Sequence, residues 1–471
     1  MTNKDKKAIL IYIAKKRGEN DLKRRQLKKD RRREKHEAYL LLKQELNGNI
    51  KYENLVDKWL PPNLSYLIFE PKSPFFAEKL AKIKLNNKGI FQVPRNFSIV
   101  EHPNEAYVFL QELTAALLFQ KYSHIKIDYS RCKTADLGAQ VLLDIIIKDI
   151  IIFYRKCQGH PHTAPKVKGI QGINVLNEDV KKLLFSVGSP SIHSNKSINF
   201  DDIIPYSLCV HDRESNRIPS EIIKQKDIDT TKLADYVVEC LRRFNKKLTP
   251  EKREDLCTVI GEALINAEEH STTQYRYSIG YFHEIKEHGQ HYGLFRLVIL
   301  NFGKTIYEKF KDPNCPNKSV VEKMKLLSQS YKNNKFFFSR QFEEETLWTL
   351  YALQEGVTSV APEDYKKRGN GCIQFIDSFF NIKGERSQKD NISRLSLLSG
   401  NTNIIFDGTY NIKEKTIDGD KFKFMTFNNS GNIEEKPDSK YVSYVANYFP
   451  GTMISAKILF NEDDLEDENR K

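Results

Sequence analysis

The stretch Gly261-Glu262-Ala263-Leu264-Ile265-Asn266-Ala267-Glu268-Glu269-His270 decides how the rest of the 471-residue chain is read. It forms the second half of a helix expected to begin near Pro250. At 3.6 residues per turn, Leu256, Ile260, Ala263 and Ala267 fall within about 60° of one another and make an apolar stripe. Glu262, Asn266 and His270 follow at i, i+4 and i+8 beside that stripe. A carboxylate, an amide and an imidazole are thus lined up along the rim of a buried face. Taken alone, a Glu-x-x-x-Asn pair is usually a solvated helix flank. The sequence downstream gives it weight.

Composition fits a soluble, multidomain protein, with 39% hydrophobic and 29% charged residues. No apolar run reaches the ~18 residues of a membrane span. The best candidate, around Val141–Tyr154, is interrupted by Asp144, Lys148 and Asp149. The N-terminus is charged and lacks a signal-peptide pattern. The seven cysteines form no CxxC pair, which points to reduced thiols and a cytoplasmic protein. His160-Pro161-His162 and the trio His283, His288 and His291 read as surface histidines rather than metal ligands. The net charge of +13 is concentrated in residues 1–37, where fifteen Lys/Arg face six Asp/Glu. Such a block binds polyanions or acidic partners, or stays solvated. The stripe Lys23–Lys35 is a candidate nucleic-acid contact. It lacks the interleaved aromatics that stack bases, so a solvated or protein-docking helix competes with that reading.

In chain order, residues 1–48 read as a basic helical arm and 49–94 as an irregular, proline-rich connection. Residues 95–210 alternate strand and helix, which predicts an α/β domain. Residues 211–229 read as a linker, 230–460 as a second α/β domain, and 461–471 as a disordered acidic tail. Within 95–210, the strand Ile125–Tyr129, a short turn and the helix from Asp136 resemble a STAS domain, the regulatory module of anti-sigma-factor antagonists. Thr134-Ala135-Asp136-Leu137-Gly138 lacks the Asp-Ser-Ser-Gly arrangement that carries the phosphorylated residue there.

In the second domain each motif is modest alone. Asn301-Phe302-Gly303 follows a strand. Arg368-Gly369-Asn370-Gly371 precedes a helix, where glycines and free N–H groups suit phosphate. Pro450-Gly451-Thr452 opens the last strand. In order and spacing they resemble the GHKL ATPases, the group of gyrase, heat-shock chaperones, histidine kinases and MutL. Glu262 to His270 is similar to the N box. Asn301-Phe302-Gly303-Lys304-Thr305 stands where the first glycine box is expected. Arg368-Gly369-Asn370-Gly371-Cys372 resembles the second, and Gly451-Thr452 the closing Gly-Thr. The anti-sigma serine kinase and sensor branch is the nearest in pattern.

The resemblance implies a Bergerat-type α/β sandwich, a mixed sheet with helices on one face. It implies ATP and Mg²⁺ as cofactors, with Asn266 as Mg²⁺ ligand and Glu262 as catalytic base. His270, Asn301, Gly303, Thr305, Arg368, Gly369, Asn370, Gly371 and Thr452 would line the nucleotide site, under a lid spanning 304–368. Asn301 replaces the aspartate that accepts the adenine amino group, Thr305 replaces a glycine, and Cys372 replaces leucine. ATP binding with slow hydrolysis or phosphoryl transfer, coupled to a protein partner, is the expectation, and homodimerisation stays open. The alternatives are a non-hydrolysing nucleotide sensor and an ATP-gated nucleic-acid clamp using residues 1–37.

Overall fold

The computed structural model describes residues 2–24, 60–85, 88–119, 122–156, 167–189, 200–212, 219–243, 245–270, 273, 275–287, 290–333, 343–359, 371–383, 393–417, 420–460 and 465–467. The chain divides into two compact units, Met1–Ile198 and Asn199–Lys471, and both mix helix with sheet. Among the described residues, no helix is long and apolar enough to cross a membrane.

The first unit opens with α1 (Asn3–Arg24), α2 (Pro62–Phe69) and α3 (Ala77–Lys82). Ile9, Leu10, Ile13 and Arg17 of α1 are buried. The Arg17 Nε donates to the Leu118 carbonyl at 2.6 Å, and its guanidinium lies 4.8 Å from the Phe153 ring centroid. The start of the expected basic arm is therefore docked, and Arg17 is spent inside the unit. Most of the stripe Lys23–Lys35 lies outside the described residues. The supposedly irregular segment 49–94 contains α2 and α3. Pro62 occupies the first position of α2, where a missing N–H costs nothing, so prolines mark this helix rather than break it.

The unit continues with β1 (Ile90–Gln92), β2 (Asn96–Phe97), α4 (Pro103–Leu118), β3 (His124–Asp128), β4 (Thr134–Ala135), α5 (Leu137–Lys156), β5 (Gly169–Ile173) and α6 (Glu178–Ser186). β1, β3 and β5 form a parallel sheet in the order β1-β3-β5. Parallel neighbours need long crossovers, and α4 and α5 supply them. The expected strand–helix alternation is present, but its C-terminal boundary is not at 210. The strand β6 (Ile203–Asp212) pairs with the second unit's sheet. The expected linker 211–229 is largely the start of α7 (Pro219–Arg242). Its polar surface masked the stripe Asp229, Leu233, Val237 and Leu241, all buried at four-residue spacing.

After α7 come β7 (Lys246–Leu248), α8 (Pro250–His270), β8 (Tyr275–Glu287), β9 (Gln290–Phe302), α9 (Ile306–Lys311), α10 (Lys318–Asn333), α11 (Glu344–Ala352) and α12 (Gly371–Ile382). β10 (Arg394–Phe406), β11 (Lys413–Ile417), β12 (Asp420–Phe424), β13 (Val442–Phe460) and β14 (Leu465–Asp467) complete the unit. The main sheet has the order β10-β13-β9-β8-β6, and every neighbouring pair is antiparallel. The mixed sheet expected here is thus replaced by an antiparallel one, with the parallel strands confined to the first unit. The stripe Leu256, Ile260, Ala263 and Ala267 of α8 is buried as its spacing predicts. It packs in one core with Leu233 and Val237 of α7, Ile376 and Phe379 of α12, and Leu297, Ile299, Ile454, Ala456, Leu395 and Leu397 of the sheet. Each large side chain so buried contributes about 1.5–3 kcal/mol of transfer free energy.

Two further expectations change. Much of the proposed lid 304–368 is packed: Val320, Met324 and Leu327 of α10 and Leu347 and Trp348 of α11 belong to this core. β11 and β12 pair as an antiparallel hairpin. The acidic tail contributes β14, whose Leu465 opposes Leu248 of β7, with Glu466 3.3 Å from the Lys247 ammonium.

Candidate functional site

One end of the helix-facing side of the main sheet is polar. Register places Arg276 of β8 opposite Asn301 of β9, Asn301 opposite Thr452 of β13, and Thr452 opposite Ser399 of β10. Opposed residues of an antiparallel pair point to the same face, so these four make a row across four strands. All four are at most 1% exposed. The Ser399 and Thr452 hydroxyls are 3.0 Å apart, and Ser399 also accepts from the Ile306 amide at 3.0 Å. Arg276 Nη2 donates to Asp229 Oδ2 of α7 at 2.5 Å, a buried ion pair tying that helix to the floor. Removing either partner of such a pair costs about 3–5 kcal/mol.

Two glycines bring the strands together here. Gly451 has φ +153°, and a Cβ on it would lie 2.1 Å from the Asn301 carbonyl oxygen. Only glycine lets β13 approach β9 at Asn301. Gly303, φ 139°, turns the chain out of β9 and donates its N–H to the Pro450 carbonyl at 3.2 Å. Thr305 has a different task from the one expected. Its hydroxyl accepts from the Glu308 amide at 3.1 Å, while the Glu308 carboxylate accepts from the Thr305 amide, also at 3.1 Å. That is a capping box starting α9.

The helix α8 carries two more of the candidate residues. Glu262 is half-buried and Asn266 is 7% exposed. α8 packs along α12. The Cys372 thiol, in the first turn of α12, donates to Asn266 Oδ1 at 3.5 Å. The Asn266 amide nitrogen is buried without a hydrogen-bond partner. A buried amide left unpaired costs about 1–3 kcal/mol, so the position is held against its own preference. Beyond the end of α8, the Thr273 hydroxyl and amide both bond the Phe302 carbonyl, at 2.9 and 3.4 Å. This fastens the exit of α8 to the strand end that carries Asn301.

The site residues read from the sequence therefore fall into three groups. Asn266 meets the start of α12, whose first residue is Gly371, and Glu262 lies one turn before Asn266 on α8. Asn301, Gly303 and Thr452 gather at the sheet end. His270 ends α8, with its side chain outside the described residues, as are Arg368, Gly369 and Asn370 entirely. Among the described residues, no group of three or more His, Cys, Asp or Glu forms a metal cluster. His283 instead sits 3.2 Å from Asp202. A Mg²⁺ held by one amide oxygen and by phosphates needs no such cluster, and Asn266 fits that donor role.

No family model, curated protein or solved structure matches the chain. The site thus rests on its own geometry. Sequence reading missed Arg276, Asp229 and Ser399. Two of them left a signal: Arg276 shares strand parity with the inward Phe282, and Asp229 extends the buried α7 stripe by one turn.

Proposed function

We propose that the second unit is an ATP-binding module of GHKL type, working with Mg²⁺ and coupling nucleotide occupancy to a protein partner. The observation that carries this is Asn266: a buried amide with an unpartnered nitrogen, on a helix rim, against the first turn of α12. An anionic ligand at that turn would meet the free N–H groups of a helix N-terminus and supply the acceptor the amide nitrogen lacks. Asn266 Oδ1 would hold the Mg²⁺, which when bound neutralises phosphate charge. Asn301 and Thr452 would receive the base. Glu262, one turn before Asn266, would orient a water or hydroxyl and take its proton.

A non-hydrolysing sensor is the second reading. Cys372 favours it, because its thiol occupies the amide oxygen that the metal ion would use. Titration with Mg²⁺ and ATP tests the proposal. Saturable, Mg²⁺-dependent binding lost in Asn266→Ala is the expected result, and no binding at millimolar ATP removes the reading. Single-turnover phosphate release then separates the two versions. Glu262→Gln should keep affinity within about threefold and slow release by about 10²–10⁴. Release unaffected by this change takes Glu262 out of the base role.

A further inference from the structure

The Cys372 thiol donates to Asn266 Oδ1 at 3.5 Å, the oxygen that a Mg²⁺ ion would need. Nδ2 of the same amide is buried without a hydrogen-bond partner. The backbones that carry the pair are fixed from behind. Ala263 and Ala267 anchor α8 beside Asn266, and Ile373 and Ile376 anchor α12 beside Cys372, all at most 2% exposed in one core. Close-packed helices do not slide apart at small cost, so the thiol leaves the amide by turning about its own χ1. An amide oxygen has two lone pairs, yet a thiol hydrogen and a divalent cation share it poorly. Mg²⁺ takes near-ideal octahedral geometry at about 2.0–2.1 Å from its oxygens, and the partly positive thiol hydrogen on the same atom repels it.

We propose that the Cys372–Asn266 hydrogen bond is a brake on the site: it has to break before Mg²⁺ can take Asn266 Oδ1. The free energy of breaking it is subtracted from metal–nucleotide affinity, because a ligand that favours the open arrangement is weakened by the population of the closed one. Cys372 is then a positioning residue, acting through Asn266, and needs no contact with the ligand. This inference rests on the nucleotide reading of the site.

The test is calorimetric titration of the full-length chain with ATP over a series of Mg²⁺ concentrations and with ATP in EDTA. Cys372→Ala and Cys372→Val remove the donor. Each should tighten Mg²⁺-dependent binding by at least about threefold, the scale of one weak hydrogen bond, with no gain in EDTA. Cys372→Ser keeps a donor and should stay within about twofold of wild type. Unchanged or weaker binding in both donor-less variants, or an equal gain without Mg²⁺, overturns the brake and leaves the nucleotide reading standing. One measurement needs no donor-less variant. Mg²⁺-ATP should shift the S–H stretching band of the wild-type protein in difference infrared spectra, at the band that Cys372→Ser lacks. A band unmoved by saturating Mg²⁺-ATP overturns the proposal as well. Binding of nucleotide by none of the proteins removes the nucleotide reading itself, and this inference with it.

Discussion

The two units each bury a set of polar side chains, and the sets differ in whether they close. In the first unit the Tyr129 hydroxyl donates to Gln140 Oε1 at 3.2 Å, and Gln140 Nε2 donates to Asp144 Oδ1 at 2.9 Å. The Ser189 hydroxyl donates to the same carboxylate oxygen at 2.7 Å. Gln140 Nε2 also donates to the Ser189 hydroxyl at 3.3 Å, which closes a ring of Gln140, Asp144 and Ser189 linking α5 to the segment after α6, with Tyr129, just past β3, bonded to it. In the second unit Asn266 keeps an amide nitrogen unpaired in a comparably buried place. A closed network repays its own desolvation and stabilises the fold, whereas an open one costs free energy that only a further partner can return.

The largest expected consequence follows from removing the open group. Asn266→Leu replaces an unsatisfied amide with an apolar side chain of similar shape. The ligand-free protein should melt at a higher temperature, while the dissociation constant for Mg²⁺-ATP should rise at least ~100-fold, about 2.7 kcal/mol. Differential scanning calorimetry without nucleotide, followed by titration, reads both. A lower melting temperature in the variant would mean that the amide is part of the scaffold, and the contrast between the closed and the open set would fail.

Asp149 tests the same contrast inside the first unit. It is 6% exposed on α5, and its Oδ2 is buried without a hydrogen-bond partner. Burial pushes its carboxyl up to about 7, against the pull of the Leu64 amide, Lys148 and Lys156. Below about pH 4 the carboxyl is protonated in both folded and unfolded chains. As pH rises from there towards 7, the unfolded chain releases the proton while the folded one keeps it, so stability falls; above 7 the penalty is constant. Asp149→Asn should leave stability near pH 3 almost unchanged and raise it at pH 8 by on the order of 4 kcal/mol. Urea unfolding of both proteins at the two pH values checks the sign, and equal pH slopes would show that this carboxyl does not titrate as its burial dictates.

How far the sequence leads depends on whether the information is local. The helix from Pro250 to His270 was readable to both ends because its stripe is continuous and Pro250 marks its start. α2 and α10 were hidden by prolines and by lysines, each compatible with helix once the apolar spacing is traced. Thr305-x-x-Glu308 is a capping box, legible from four consecutive residues. The pairing of Asn301 with Thr452 is not local at all. It depends on β13 lying beside β9, and a strand's neighbour is fixed by tertiary packing rather than by its residues alone. The boundary near 198 was missed for the same reason, since β6 looks like one more strand of the first alternation and belongs to the second sheet.

The smallest effect concerns the closed ring. Ser189→Ala deletes one donor to Asp144 and leaves the Gln140 amide still bonded to that oxygen. Burial already pushes the Asp144 carboxyl up to about 7, with the Ser189 hydroxyl pulling the other way. Losing that hydroxyl should raise the carboxyl further, so that it carries a proton at neutral pH and becomes a donor itself. The ring can then re-form around a neutral acid, which limits the cost to about 1 kcal/mol. Nucleotide affinity in the second unit should stay within twofold, and Ser189→Thr should restore stability. A loss of affinity from Ser189→Ala, read in the same titration as Asn266→Leu, would mean that the closed network is coupled to the open one.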